Sequence, residues 1–178
     1  MKPFITPDKT STGKKSFPYQ CEGFECDALW RHLEGQRLVA YVLPDGHGLT
    51  AVWGLSLVFY SGLILEFSSA CTQAVDWKEV GSLNVKLTRD SKEGVATMIM
   101  ERKGIAVPLV ELANAEKLIY EDEDVVVECG LVLHGSDGQQ VVIAAGIPPG
   151  SVSVHASFSV GQPFEPQFSL ATCRRQTL

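Results

Sequence analysis

The chain has 178 residues, of which 45% are apolar and 20% are charged, and these are ordinary values for a globular protein. They exclude an intrinsically disordered chain, and there is no run of about eighteen apolar residues that would predict a membrane span. A chain of this length can bury one hydrophobic core without cross-links or a bound metal. We therefore expect a soluble, cytoplasmic protein that makes no contact with membranes.

The charge is acidic and unevenly distributed. Fifteen basic and twenty-one acidic residues give a formal charge of -6, but residues 1–18 carry +3 and the remainder carries -9. An acidic body repels the phosphate backbone of nucleic acids and favours encounter with a basic partner. The composition thus argues against nucleic-acid binding by the folded part.

The cysteines do not have the pattern of a disulfide framework. They are Cys21, Cys26, Cys71, Cys129 and Cys173, which is an odd number at scattered positions. Small secreted domains that depend on disulfides normally contain an even number of cysteines. We therefore predict free thiols in a reducing compartment.

The first predicted elements are an arm and a helix. Residues 1–18 mix proline, serine, threonine, glycine and lysine, which predicts a flexible N-terminal arm, and residues 19–178 are predicted to form a single domain. Asp27 can cap a short helix because its carboxylate can accept the free N–H groups of the first turn, and Gly35 suits the end of that helix. A second short helix is predicted to begin at Pro108, since the first helical position needs no N–H donor.

Strands are predicted where apolar runs are bounded by turn residues. In the first half they span residues 37–43, 50–60, 63–68 and 82–88, and residues 95–100 can return as a strand after the charged turn at 89–94. In the second half they span residues 116–120, 125–133, 140–145 and 151–159. Pro163 and Pro166 argue against a regular terminal strand.

The two halves of the chain share a pattern. Residues 33–41 align without gaps on 112–120, residues 54–62 on 130–138, residues 65–69 on 141–145, and residues 81–85 on 150–154. Self-similarity of this kind predicts an internal duplication, with units at about 24–88 and 105–159. The alternative is two ordinary sets of hairpins that resemble each other because tight turns need glycine.

Each unit would consist of one short helix followed by about four antiparallel strands. The apolar faces of so many strands must be covered by the other sheet or by the two helices. We predict an α+β fold that is mainly antiparallel β, with two short helices and a pseudo-twofold internal duplication. A β-barrel is the alternative.

Two features predict a partner-binding surface. Glu121, Asp122, Glu123 and Asp124 place four carboxylates between two predicted strands, which favours a salt-sensitive docking patch for a cationic surface. An ordinary solvated hairpin turn is the alternative interpretation of these four residues. A calcium loop is disfavoured, because the sequence lacks the glycine and the ligand spacing of such a loop. Trp77 lies in a polar connector, and an exposed tryptophan is a natural anchor at an interface.

The sequence contains candidate zinc ligands, but they lack the spacing of a typical zinc site. Cys21 and Cys26, with His32 and His47 in the same part of the chain, supply four candidate ligands. The close pairing of ligands that is typical of structural zinc sites is missing. We predict no metal site.

Catalytic patterns are equally weak. His47 and His134 are placed at predicted turns, where proton transfer is feasible, although turn histidines are usually only solvated. Cys173 precedes two arginines that would favour its thiolate, but no partner base can be placed beside it. The motifs of α/β-hydrolases, dinucleotide-binding folds and zinc proteases are absent from the sequence. We predict no catalytic residue and no cofactor.

These observations favour a non-enzymatic interaction domain that binds another protein with a basic surface. An immunity or inhibitor protein that neutralises a toxin is the most concrete form, because such a role needs acidity and a rigid sheet but no reactive group. One alternative is a small-molecule binding domain with a pocket between the two units. Another is a hydrolase-type enzyme whose histidines and carboxylates come together from distant positions. The oligomeric state is open, since exposed strand edges can pair between copies.

Overall fold

The computed structural model describes residues 2–101 and 104–178, except for the side chains of Lys92, Val95, Met98, Glu101 and Leu109. The strands in chain order are β1 (Asp8–Lys9), β2 (Lys15–Phe17), β3 (Gln20–Glu22), β4 (Arg37–Val42), β5 (Leu55–Phe59), β6 (Leu63–Val75), β7 (Lys78–Arg89), β8 (Ile105–Glu121), β9 (Val125–Gly135), β10 (Gln140–Ala145), β11 (Val152–Ala156) and β12 (Cys173–Thr177). The α-helices are α1 (Leu29–Leu33) and α2 (Lys92–Glu101), and short 3-10 helices lie at Cys26–Ala28 and Leu170–Thr172.

These strands form one sheet that curls into a half-barrel. The strands β4 to β7 pair in succession as an antiparallel first meander, and β8 to β11 pair in the same way as a second meander. The first half of β8 also pairs with β4, which joins the two meanders. Parallel pairing occurs between β2 and β9 and between β3 and β7. The prediction of a mainly antiparallel β fold is confirmed.

The main hydrophobic core lies between the inner faces of the two meanders. Alternate residues of each strand point into it, as the two-residue repeat of a strand requires. The first meander contributes Leu55, Leu57, Leu65, Phe67, Leu83 and Val85, and the second contributes Leu131, Leu133, Val141, Ile143, Val152 and Val154. All twelve side chains are buried. Since burial of one such side chain contributes roughly 1.5–3 kcal/mol before entropy is counted, this layer is the main source of stability.

A second core covers the outer face of the second meander. Val127, Val132 and Val142 are buried there. Phe164 and Phe168, which belong to the C-terminal segment that follows β11, pack against the same cluster. This segment therefore covers the outer face of the second meander. Within the described residues, no helix is both long and apolar enough to cross a membrane.

The first predicted helix is present as α1, whereas the prediction of a second helix beginning at Pro108 is wrong. Residues from Pro108 onward belong to the long strand β8, in which Val110 and Leu112 are buried and Glu111 between them bonds to Arg37. The register of β8 against β4 shifts near Pro108. Because a bulge of this kind leaves a ladder position unpaired, the missing N–H of the proline is tolerated within the strand.

A helix occurs instead at α2, where residues 95–100 are predicted as a strand. The N–H of Gly94 donates to Oγ of Ser91 at 3.0 Å, so Ser91 supplies the side-chain bond of an N-cap. The terminal strand β12 also differs from the prediction. It begins only after the 3-10 helix Leu170–Thr172, beyond both prolines, and pairs with β8.

The N-terminal segment, where a flexible arm is predicted, contributes the strands β1 and β2. The β2 strand adds to the edge of β9. Further towards the N-terminus, the carbonyl oxygen of Pro3 accepts a bond from the N–H of Cys71 at 2.9 Å, and the N–H of Ile5 donates to Oγ1 of Thr72 at 3.0 Å. These contacts place the segment on β6.

Two of the cysteines are bonded to each other, so the prediction of free thiols is wrong for this pair. A disulfide joins Cys21 and Cys26 across five residues, with Cα atoms 5.5 Å apart, within the range that a disulfide spans. Cys71, Cys129 and Cys173 are free. The cysteine content therefore no longer indicates a reducing compartment.

Candidate functional site

Two hairpin turns meet at one end of the molecule. The first, between β6 and β7, contains Asp76 and Trp77, and the second, between β8 and β9, contains Asp122, Glu123 and Asp124. An ion pair between the ammonium of Lys78 and Oδ2 of Asp122 joins them. We call residues 76–78 and 121–124 the hairpin tip. The fold thus brings the predicted Trp77 and the predicted carboxylates to the same place.

Asp122 organises the second turn. Its Oδ1 accepts the backbone N–H groups of Asp124 and Val125, each at 2.9 Å. Its Oδ2 accepts bonds from Lys78 and from the hydroxyl of Tyr120, the latter at 3.1 Å. Burial raises the pKa of Asp122, but the bonds from Lys78, from the two N–H groups and from Tyr120 outweigh it, and the net pKa lies well below its ordinary value. Asp122 is therefore fully engaged within the protein.

Glu121 is also engaged. Its carboxylate accepts a bond from the ammonium of Lys14 at 2.7 Å, and this bond lowers the pKa of Glu121. The next residue, Lys15, donates its backbone N–H to the carbonyl oxygen of Asp124 at 2.8 Å. The N-terminal segment therefore neutralises part of the acidic turn and supports its backbone.

Glu123, Asp124 and Trp77 remain available to a partner. The two carboxylates are exposed and have no bonded side chain within the part of the chain that the structure describes. The side chain of Trp77 is 93% exposed. Asp76, which precedes it, has a φ of 49°, a left-handed conformation that aspartate tolerates better than most residues. Among the described residues, the tip thus presents one exposed indole and two carboxylates that bond to no other side chain, on a backbone fixed by hydrogen bonds.

The tip is also anchored to the C-terminal segment. The ring of Tyr120 stacks on Phe168 with centroids 4.1 Å apart and planes inclined by 15°. The ammonium of Lys78 lies 5.8 Å from the centroid of the Tyr120 ring. Sequence reasoning missed Lys14, Lys78 and Phe168 because the contacts that define their role join distant parts of the chain. The only sequence signal was the surplus of lysines in the N-terminal segment.

Comparisons with protein-family models, with curated proteins and with solved structures found no match.

The residues considered for zinc do not form a metal site. Cys21 and Cys26 are consumed by the disulfide, while His32 packs edge-on to Phe24 and His47 packs edge-on to Trp53. In residues 2–101 and 104–178, no group of three or more histidine, cysteine, aspartate or glutamate side chains is placed to hold a metal ion.

The two histidines considered for catalysis have structural neighbours. His47 lies in a turn as predicted, with its N–H bonded to the carbonyl oxygen of Pro44 at 3.2 Å. His134 lies within β9, so the predicted turn position is wrong for it, and its Nε2 is 2.8 Å from Oε2 of Glu116. The same oxygen is 3.3 Å from Arg175, so Glu116 holds both groups on the outer face of the sheet.

Cys173 faces another thiol, with its Sγ atom 3.8 Å from that of Cys129. The bond between the two thiols, together with burial, raises the pKa of Cys129 well above its ordinary value. The same bond lowers the pKa of Cys173. The neighbour that tunes Cys173 is therefore a buried thiol and not the predicted arginines.

A cavity of about 30 Å³ lies at the seam between the meanders, lined by residues of β6, β7 and the turn before β11, and by Gln167. That volume accommodates about one water molecule. A larger cleft of about 490 Å³ opens elsewhere, on the outer face of the first meander.

Proposed function

We propose that the protein is a non-enzymatic interaction domain that binds a partner with a basic surface through the hairpin tip. The observation that carries the proposal is the 93% exposure of Trp77 beside Glu123 and Asp124, whose carboxylates bond to no other side chain among the described residues. Tryptophan is enriched among the residues that dominate binding energy at interfaces. An immunity or inhibitor protein that covers the cationic site of a toxin is the form that fits best.

The indole and the carboxylates would contribute in different ways. A tryptophan side chain buries roughly 200 Å² at an interface, which at about 25 cal/mol per Å² stabilises a complex by up to about 5 kcal/mol before ordering costs. Exposed carboxylates act over longer distances and mainly increase the association rate. Because salt screens such charges, binding should weaken as ionic strength rises.

The proposal is tested by affinity capture from a lysate of the source cells at low salt, followed by mass spectrometry. We expect a basic protein to be captured by the wild type. Trp77→Ala and the double variant Glu123→Gln, Asp124→Asn should each reduce capture at least tenfold. Matched controls are Val160→Ala, which truncates another exposed apolar side chain, and Glu34→Gln, which removes an exposed charge elsewhere.

Three results would contradict the proposal. Capture could be absent at every ionic strength, it could be insensitive to salt, or it could survive both tip variants. The purified partner, once known, allows the same variants to be measured by calorimetry. There Trp77→Ala should mainly affect the dissociation rate and the charge variant the association rate.

We also propose that the two meanders are copies of one ancestral unit. Support comes from the pairing registers. Leu55 and Leu57 pair with Phe67 and Leu65, and the aligned residues Leu131 and Leu133 pair with Ile143 and Val141 in the same way. Phe67 pairs with Val85 and Ser69 with Leu83, and the aligned residues Ile143 and Ala145 pair with Val154 and Val152.

The first aligned block does not follow these registers. Tyr41 pairs with Leu57 in the first meander. In the second meander, Tyr120 is aligned to Tyr41 and Leu133 is aligned to Leu57, but these two residues do not pair. Tyr120 pairs with Val127, and Leu133 pairs with Ala115. The duplication therefore rests on β5, β6 and β7 against β9, β10 and β11. Superposition of these strands in a crystal structure is expected to match them one to one, and a shifted register would contradict the proposal.

A further inference from the structure

The cleft of about 490 Å³ lies on the outer face of the first meander, away from the hairpin tip. Its lining comes from the end of β4 and the loop after it, from the residues around the start of β5, and from β6. Small-molecule sites in proteins commonly have volumes of roughly 300–1,000 Å³. The first β6 residue in the lining is Glu66, eleven positions before Trp77, so these two residues are roughly 35 Å apart along the strand.

One wall of the cleft is the indole of Trp53, which is held in place from two sides. Its Nε1–H donates to the carbonyl oxygen of Pro149 at 2.9 Å. The ring of His47 packs edge-on to it, with centroids 5.3 Å apart and planes inclined by 88°. The side chain remains 53% exposed despite these contacts. A fixed, half-exposed indole can receive a ligand without losing rotamer freedom.

The floor of the cleft contains the carboxylate of Glu66. Glu66 is half-buried and lies opposite Ser56 on β5 and Lys86 on β7. Lys86 directs its ammonium to Glu22 at 3.5 Å and not to Glu66. Within the described part of the chain the side chain of Glu66 has no hydrogen bond or ion pair. Asp45 adds a second acidic side chain to the lining, which contains no lysine or arginine.

The second meander shows what this face looks like when the chain covers it. The strand pair Ser56 and Glu66 corresponds by register to the pair Val132 and Val142. Both valines are buried in the cluster against which the C-terminal segment packs. The first meander thus carries polar groups at the positions where its counterpart is apolar, and it leaves them open at the cleft.

We propose that this cleft binds a small organic cation, an ammonium or guanidinium group on a short aliphatic chain. The carboxylate of Glu66 supplies the opposite charge, and the indole of Trp53 attracts the cation through its π face. The hydroxyl of Ser56 can accept a hydrogen bond from an N–H donor of the ligand. A neutral molecule of the same shape would leave the Glu66 carboxylate without a partner.

Isothermal titration calorimetry of the full chain tests this assignment with three probes: choline, agmatine and 3,3-dimethyl-1-butanol, the neutral isostere of choline. We expect at least one of the two cations to bind in the millimolar range or tighter and the isostere to bind at least tenfold more weakly. Glu66→Gln keeps the shape of the side chain and should weaken cation binding about tenfold. Trp53→Leu should weaken it by a similar factor.

The matched control is Glu34→Gln, which removes an exposed carboxylate outside the cleft and should leave binding unchanged. Circular dichroism of each variant establishes that it is folded, and the isosteric Glu66→Gln remains decisive if Trp53→Leu unfolds. The assignment is overturned if neither cation binds at millimolar concentration, if the isostere binds equally well, or if Glu66→Gln has no effect. Each of these results is independent of the hairpin tip.

Discussion

At the residue scale, Asp122 has a structural role that its position in an acidic run conceals. The four consecutive carboxylates at 121–124 look equivalent in sequence. In the described part of the chain, however, only Glu123 and Asp124 have no side-chain partner. Asp122 satisfies two turn N–H groups and pairs with Lys78, while Glu121 pairs with Lys14. The acidic run therefore consists of two residues that hold the tip and two whose side chains are exposed to solvent.

Replacing Asp122 should destabilise the protein more than replacing its neighbours. Asp122→Ala removes the acceptor of two backbone N–H groups and the partner of Lys78, and we expect a loss of about 2 kcal/mol in the free energy of unfolding. Asp122→Asn keeps an acceptor for the N–H groups and should lose about half as much. Urea denaturation measures both. The control Glu123→Gln should stay within about 0.5 kcal/mol of the wild type, and equal effects at the two positions would contradict the assigned role.

The same residue predicts a pH dependence. The pKa of Asp122 is lowered in the folded state, so its contribution to stability is fully present above the pKa of an unfolded aspartate, about 3.9. It is lost as the pH falls through the lower pKa of the folded state. The difference in unfolding free energy between wild type and Asp122→Ala should therefore be constant near pH 7 and shrink below about pH 4. Denaturation series at several pH values would refute this if the difference grew on acidification.

At the scale of elements, the disulfide between Cys21 and Cys26 ties β3 to the turn that begins the first helix. A loop this short still restricts the unfolded chain, and the chain-entropy relation gives about 2 kcal/mol for it. Reduction with dithiothreitol should lower the free energy of unfolding by that amount. The double variant Cys21→Ser, Cys26→Ser should start at the lower value and show no further change on reduction. A similar loss on reducing the double variant would implicate the other thiols.

Local patterns predicted strands better than helices, for physical reasons that particular residues make clear. The runs at 37–43, 125–133 and 140–145 are apolar and end at turn residues, so both propensity and burial favour strands there. Pro108 fits a helix start as well as it fits a bulge, and only the register of β8 against β4 decides between them. At α2 the charged residues 89–94 predicted a turn, whereas in the structure Ser91 accepts the N–H of Gly94 and caps a helix.

At the scale of the whole molecule, the residues of the hairpin tip were predictable from the sequence, but the contacts that bring them together were not. The sequence indicated Glu121 to Asp124 and Trp77 separately, from crowded charge and from an aromatic residue in a polar connector. Their meeting depends on contacts such as that of Lys78 with Asp122, 44 positions apart. No local pattern encodes such a distance. The cleft with Trp53 and Glu66 was not anticipated for the same reason, since its walls come from separate strands and loops.

The long strand β8 makes the two meanders inseparable. Its first half lies beside β4, and its second half lies between β9 and β12. A fragment that ended before β8 would leave β4 with an open edge, and the complementary fragment would carry the matching bare edge. Such edges recruit other chains. The protein should therefore tolerate dissection poorly, however alike its halves are.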